Sequence, residues 1–215
     1  MKKELTELVF ILDKSGSMSG LEADTIGGFN AMLEKQKAVE GECLITTVLF
    51  DDRYLILHDH INIQTVRPIT EETYFVGGST ALLDAIGKTI HKIGNAQKNT
   101  ASDLRADKVM FVIITDGEEN ASREYSVEKI KSQIKRQKEK YGWEFIFLGA
   151  NIDAVGTADR FGIGANRAVK YCADSSGINL NFTVINAAAK EFREKNTISE
   201  NHLEEIRRDM RKRGE

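Results

Sequence analysis

Apolar residues fall into runs of two kinds along the chain. Leu8-Val-Phe-Ile-Leu12 has no polar break and enters Asp13-Lys-Ser15-Gly-Ser17. Five consecutive apolar residues bounded by a turn predict a strand buried on both faces, as in a parallel sheet. Cys43–Phe50, Lys108–Thr115 and Trp143–Leu148 repeat that form, and Ala168–Cys172 is a shorter version. Between them the spacing changes to helical. Leu21, Thr25, Ile26, Phe29, Met32 and Leu33 share one face of a helix over 20–37, with Gly27-Gly28 placed for close packing on the sheet. Leu82, Leu83, Ile86, Ile90 and Ile93 form a stripe over 81–93, followed by a polar surface connection over 94–107. Val127, Ile130 and Ile134 do the same over 127–140, with Ser126 as N-cap and Gly142 as the stop. A short helix follows Asn151-Ile-Asp153 and runs to about residue 161.

Strands alternating with helices predict an α/β fold: a doubly wound, mostly parallel, Rossmann-like sheet with helices on both faces. Cys43–Phe50 and Arg53–His58 flank the Asp51-Asp52 turn, which makes a hairpin and places one antiparallel strand at an edge. Residues 1–176 read as the α/β domain. Residues 177–215 read as a C-terminal helical segment packed on or extending it, with Leu180, Val184, Ala188 and Phe192 on one face. Thr197-Ile-Ser-Glu200 has the form of a capping box for a last helix.

Composition narrows the class. A chain of 215 residues, 41% hydrophobic and 29% charged, can bury a core without staples. A net charge of −3 supplies no field for nucleic acid or an anionic membrane. Cys43 and Cys172 lie in apolar runs and read as buried free thiols. The N-terminal apolar run is too short for a secretory signal, and no run approaches a membrane span, so a cytoplasmic location is expected.

Three loops carry oxygen-bearing side chains. Asp13, Ser15 and Ser17 follow the first strand, where Gly16 lets them turn inward together. Gly77-Gly-Ser-Thr80 delivers a threonine to a helix start, and Asp116 ends the strand Lys108–Thr115. Ligands in open α/β sheets bind beyond the strands' carboxyl ends. Carboxylates and hydroxyls are hard donors suited to Mg²⁺, Mn²⁺ or Ca²⁺. Taken alone, Asp13-x-Ser15-x-Ser17 serves a helix cap and a cation equally well. Taken together, Asp13-x-Ser15-x-Ser17, Gly-Gly-Ser-Thr80 and Ile-Thr-Asp116-Gly-Glu resemble the metal-ion-dependent adhesion site (MIDAS) of von Willebrand factor type A domains, over roughly residues 5–172.

The resemblance implies a metal set of Asp13, Ser15, Ser17, Thr80 and Asp116. In that family the two serines bind directly and the aspartates act through water or hydrogen bonds, while the threonine alternates between the two modes. It further implies a protein partner presenting an Asp or Glu carboxylate to Mg²⁺, and coupling to movement of the last helix. Lacking a secretion signal, the chain is similar to the short intracellular proteins of this type in bacteria and phages. The expected function is non-enzymatic, metal-dependent protein binding.

A Mg²⁺-dependent phosphatase on the same topology is the alternative. Such an enzyme needs a second acid two residues after Asp13, where this chain has Ser15. Phosphate binding at Gly77–Thr80 lacks the lysine and spacing of a P-loop, and the basic stretch Arg207–Arg213 reads as a helix end favoured by the dipole. His58 and His60 share a strand face without a third zinc ligand, which places them at the surface. Glu118 and Glu119 either draw cations or are solvated, Asn151 and Asp153 fall at the same sheet rim, and Lys14 is expected to point to solvent.

Overall fold

A computed structural model describes residues 4–214. Six strands, β1 (Leu5–Asp13), β2 (Glu42–Phe50), β3 (Tyr54–Asn62), β4 (Lys108–Thr115), β5 (Glu144–Gly149) and β6 (Ala168–Lys170), form one sheet in the order β3-β2-β1-β4-β5-β6. All pairings are parallel except β2 with β3 at the edge. This is the expected doubly wound α/β sheet with one antiparallel edge strand. The helices are α1 (Glu22–Lys37), α2 (Leu82–Asn99), α3 (Val127–Tyr141), α4 (Ala154–Arg160), α5 (Ser175–Lys195) and α6 (Glu204–Arg213). Side chains alternate across β1, so Leu8, Phe10 and Leu12 pack toward α1 and α5, and Val9 and Ile11 toward α2 and α3. β1 feeds α1 on one face while β4 feeds α3 on the other, so the chain splits between neighbouring strands. That split is the topological switch point where open sheets form a crevice. Among the described residues no helix is long and apolar enough to cross a membrane.

α5 belongs to the core. Ile178, Phe182, Ile185, Ala188, Ala189 and Phe192 are buried in the cluster that holds β1 and α1. Gly28 serves this contact rather than the sheet: a Cβ there would lie 2.3 Å from the Phe182 ring. Buried Arg193 donates to the carbonyls of Gln36, Val39 and Gly41, tying α5 to the end of α1. α2 runs to Asn99, past the expected end at 93, because its polar last turns need only one apolar side and Gly94 costs about 1 kcal/mol. The Thr197–Glu200 capping box does not form. α6 begins at Glu204 without a side-chain cap, Glu200 accepts from Asn166, and the Ser199 amide donates to Glu191. Both cysteines are buried, Cys172 against the Met210 sulfur, and burial pushes the Cys43 thiol up to about 12.

β3 carries a bulge that separates the two histidines. His58 is buried against Thr47 on the α1 side. His60, at φ +50°, turns to the opposite face, where its Nδ1 lies 2.7 Å from Oε1 of fully buried Glu7. Thr46 donates to the same oxygen, and Glu7 Oε2 has no donor among the described residues. The strand-face alternation that would have put both at the surface fails at the extra residue. The Glu7 hydrogen bond holds His60 above its ordinary value, against the opposing effect of burial. A raised histidine contributes stability that is complete below its unfolded value of about 6.5 and is lost as pH rises through its folded one. We expect the stability lead of wild type over Glu7→Gln in urea unfolding to shrink as pH rises through that window. Parallel curves from about pH 5.5 to 8.5 would count against the coupling.

Candidate metal centre

β1 and β4 end side by side, so Asp13 and Asp116 leave adjacent strand ends at the crevice. Asp13 is 1% exposed, and both of its carboxylate oxygens are engaged. Oδ1 accepts from the Ser15 amide at 2.7 Å and Oδ2 from the Thr115 hydroxyl at 2.5 Å. The first bond turns the chain after Gly16 so that Ser15 and Ser17 face inward. From there a continuous line of oxygens crosses the site. Thr80 Oγ1 donates to Ser15 Oγ at 3.0 Å, Ser15 Oγ lies 3.0 Å from Ser17 Oγ, and Ser17 Oγ donates to Asp116 Oδ1 at 2.5 Å. All five residues expected from the sequence therefore meet. Asp116 Oδ2 is buried with no donor among the described residues.

The loops are laced together by backbone bonds. The Gly16 amide donates to Gly78 O at 3.1 Å, Gly77 N to Lys14 O at 2.9 Å, and Ala81 N to Asp51 O at 2.9 Å. Gly78 stands at φ +74°, and a Cβ there would lie 2.4 Å from Asp52 Oδ1, so the second glycine of the pair is needed for the turn that presents Thr80. A Cβ on Gly117 would reach within 2.9 Å of Ser17 Oγ, so only glycine lets the chain after Asp116 lie against the hydroxyls. Thr80 is held in turn by Asn120, whose Oδ1 accepts from its amide at 2.9 Å.

Lys14 is 3% exposed and its ammonium pairs with buried Asp51, in contrast to the solvent-facing position expected for it. Asp51 anchors the Arg53 amide as well. Burial pushes the Asp51 carboxyl up, but the hydrogen bonds from Lys14 and the Arg53 amide outweigh it and hold it below the ordinary range. The lysine therefore neutralises Asp51 and leaves Asp13 and Asp116 without a cation. Desolvation raises both of these carboxyls, despite hydrogen bonds from Ser15 and Thr115 to the first and from Ser17 to the second. The Asp13 charge raises Asp116 further.

Two buried carboxyls, three hydroxyls, an orphan carboxylate oxygen and no paired cation form a donor set short of positive charge. The set fits a hard divalent ion. No group of three or more His, Cys, Asp or Glu among the described residues is placed to hold a metal, so a cation here depends on the hydroxyls.

Several supporting residues were not singled out from sequence. Thr115, just before Asp116, is the hydroxyl that holds Asp13. Tyr74 donates to Asp13 O at 2.6 Å, and Tyr171 donates to Thr115 O at 3.3 Å. The Thr115-Asp116 pairing was the available signal; the tyrosines come from distant segments with no local pattern. Glu119 is half-buried and hydrogen-bonded rather than simply solvated. Its carboxylate accepts from the Leu83, Ala121 and Ser122 amides and caps α2. Glu118 is exposed. Asn151, at φ +54°, donates to Asp116 O at 3.3 Å and so lines the rim as expected, while Asp153 caps α4.

The fold is similar to many solved structures, of which three are representative. The first is proximal thread matrix protein 1 from the mussel byssus, in a form with a zinc-occupied MIDAS motif (TM-score 0.58, 16% identity, 87% of this chain and 46% of that one). The second is a von Willebrand factor type A protein from Catenulispora acidiphila (0.57, 11%, 87% and 43%). The third is a D319A mutant of the PilB minor pilin from Streptococcus sanguinis (0.60, 12%, 90% and 63%). The chain spans about half the length of these structures. No family model matches the sequence, and no curated protein does. At such identities the likeness establishes a von Willebrand factor type A fold and nothing finer.

Proposed function

We propose that this protein is a non-enzymatic, Mg²⁺-dependent protein-binding domain of the cytoplasm, using Asp13, Ser15, Ser17, Thr80 and Asp116 as a MIDAS. The observation that carries the reading is the unbroken oxygen line from Thr80 to Asp116, ending at the orphan Asp116 Oδ2. A divalent ion held by these residues supplies an electrophilic position for a partner's Asp or Glu carboxylate. Mn²⁺ or Ca²⁺ satisfies the same donors, and the zinc-occupied motif of the mussel protein supports a divalent ion in general.

The residues themselves argue against catalysis. Asp13 has both oxygens committed to Ser15 and Thr115, so it is not free to attack a phosphoester. The serines have no imidazole beside them. His58 and His60 bond to Thr47 and Glu7, His91 to Asn95, and His202 to Glu191. The rim is shaped for a side chain next to the acid. A cleft of about 400 Å³ beside Gly117 is lined by Leu82, Leu83, Ile152 and Phe161 with Arg160 at its border, and Phe75 is 55% exposed beside Lys14. An acidic residue flanked by an apolar one matches this surface.

Affinity capture from the native cell tests the proposal. A partner should be retained by wild type in Mg²⁺ and released by EDTA, and Asp13→Ala should retain none. Equal retention with EDTA would sink it.

A further inference from the structure

At the opposite end of the sheet, the C-terminal halves of α2 and α3 part around a cleft of about 610 Å³, within the usual range for small-molecule sites. Its floor is apolar: Ile90, Val109 and Trp143, the last 5% exposed and stacked on Phe111 at 5.4 Å. The α3 wall is polar. Gln133 and Gln137 lie one turn apart. Gln137 is 91% buried, and its side-chain amide makes no hydrogen bond among the described residues. Gln133 Oε1 is buried without a donor. Gly94 on α2 faces the Gln137 amide, where a Cβ would still stand 3.8 Å away, so the helices leave the space between them open. The buried Gln133 oxygen therefore needs a donor, and the Gln137 amide one turn on has donors to offer. The mouth has more positive than negative side chains. Exposed Lys98 and Arg136 pair with no carboxylate among the described residues, the Arg105 guanidinium is spent on the Lys98 and Thr100 carbonyls, and the one acid of the lining, Asp107, accepts from the Leu5 amide.

We propose that this cleft is a second ligand site, independent of the metal centre, and that it takes a nucleoside monophosphate. A purely apolar ligand would leave the Gln133 oxygen without a donor. An inorganic anion would use only the mouth. A flat heterocycle against the accessible edge of Trp143, with its donor and acceptor edge on Gln133 and Gln137 and its phosphate at Lys98 and Arg136, uses both the floor and the mouth.

Trp143 is the sole tryptophan of the chain, so its emission reports on this cleft directly. The full chain is titrated with AMP, GMP, CMP and UMP, followed by Trp143 fluorescence and by calorimetry. At least one nucleotide should bind saturably, and at least about tenfold more tightly than its nucleoside or inorganic phosphate alone. Lys98→Ala/Arg136→Ala and, separately, Gln137→Leu should weaken it by about tenfold or more. Asp13→Asn and EDTA should leave it unchanged, which separates this site from the proposed MIDAS. Absence of saturable binding up to about 10 mM overturns the proposal. So does unaltered affinity in the surface double variant Lys98→Ala/Arg136→Ala, or equal binding of inorganic phosphate.

Discussion

Asp13→Asn should reverse the stability order of the two proteins according to whether Mg²⁺ is present. Without metal, wild type carries two desolvated carboxyls, the charge on Asp13 raising Asp116 further, and the asparagine removes one charge while still offering Oδ1 to the Ser15 amide. The variant should then melt at or above the wild-type temperature. With Mg²⁺ at about 100 times its Kd, wild type should gain about 2.7 kcal/mol, or roughly 5–10 °C for a chain of this size. Loss of a residue that positions ligands costs about 10–100-fold in metal affinity, so the variant should gain little. Thermal melts with Mg²⁺ and with EDTA read both halves. An Asp13→Asn protein with the full wild-type Mg²⁺ shift would remove the metal assignment. Asp13→Ala adds a cost of its own, because it strands the Ser15 amide at about 1–3 kcal/mol and leaves the Thr115 hydroxyl only its 3.3 Å bond to Gly117 O.

The second large effect is expected at Lys14, which touches no proposed ligand through its side chain. Lys14→Met leaves the Asp51 carboxylate buried and facing only Arg53, whose side chain is exposed. Breaking a buried ion pair from one side costs about 3–5 kcal/mol, and urea unfolding should show the unfolding free energy fall by that amount, through a lower midpoint at constant slope. Lys14→Met/Asp51→Leu should recover most of the loss, because replacing both charges by apolar groups is near neutral. If the double variant is no better than the single, the cost lies in packing rather than in the stranded charge. The pair also tethers the site: Asp51 O holds Ala81 beside Thr80, and Lys14 O holds Gly77. Mg²⁺ affinity should therefore fall in Lys14→Met even where the protein remains folded.

How far the site could be read in advance depended on how local its causes are. Asp13, Ser15 and Ser17 lie within five residues, and each of the other two residues of the proposed set arrives behind its own mark: a glycine pair before Thr80 and a buried strand before Asp116. The residues that orient them have no such mark. Tyr74 and Tyr171 come from a connection and from beyond a short strand, and Lys14 looks solvated until Asp51 is placed across from it. His60 was misplaced because a single bulge residue inverts the face of everything after it. The Gln133–Gln137 cleft was invisible because polar residues on a polar helix carry no sign that two of them face inward.

The sequence by itself determined the order and type of the elements, the buried strands and the oxygen donors at their carboxyl ends. Period-2 and period-3.6 patterning and glycine placement are properties of short stretches, so they survive without coordinates. Only the tertiary structure decided which charges are neutralised. Lys14 goes to Asp51 and not to Asp13 or Asp116, and α5 fills the space that Gly28 leaves. Those choices depend on what packs opposite each side chain. In the buried interior the same charge is stabilising with a partner and costly without one.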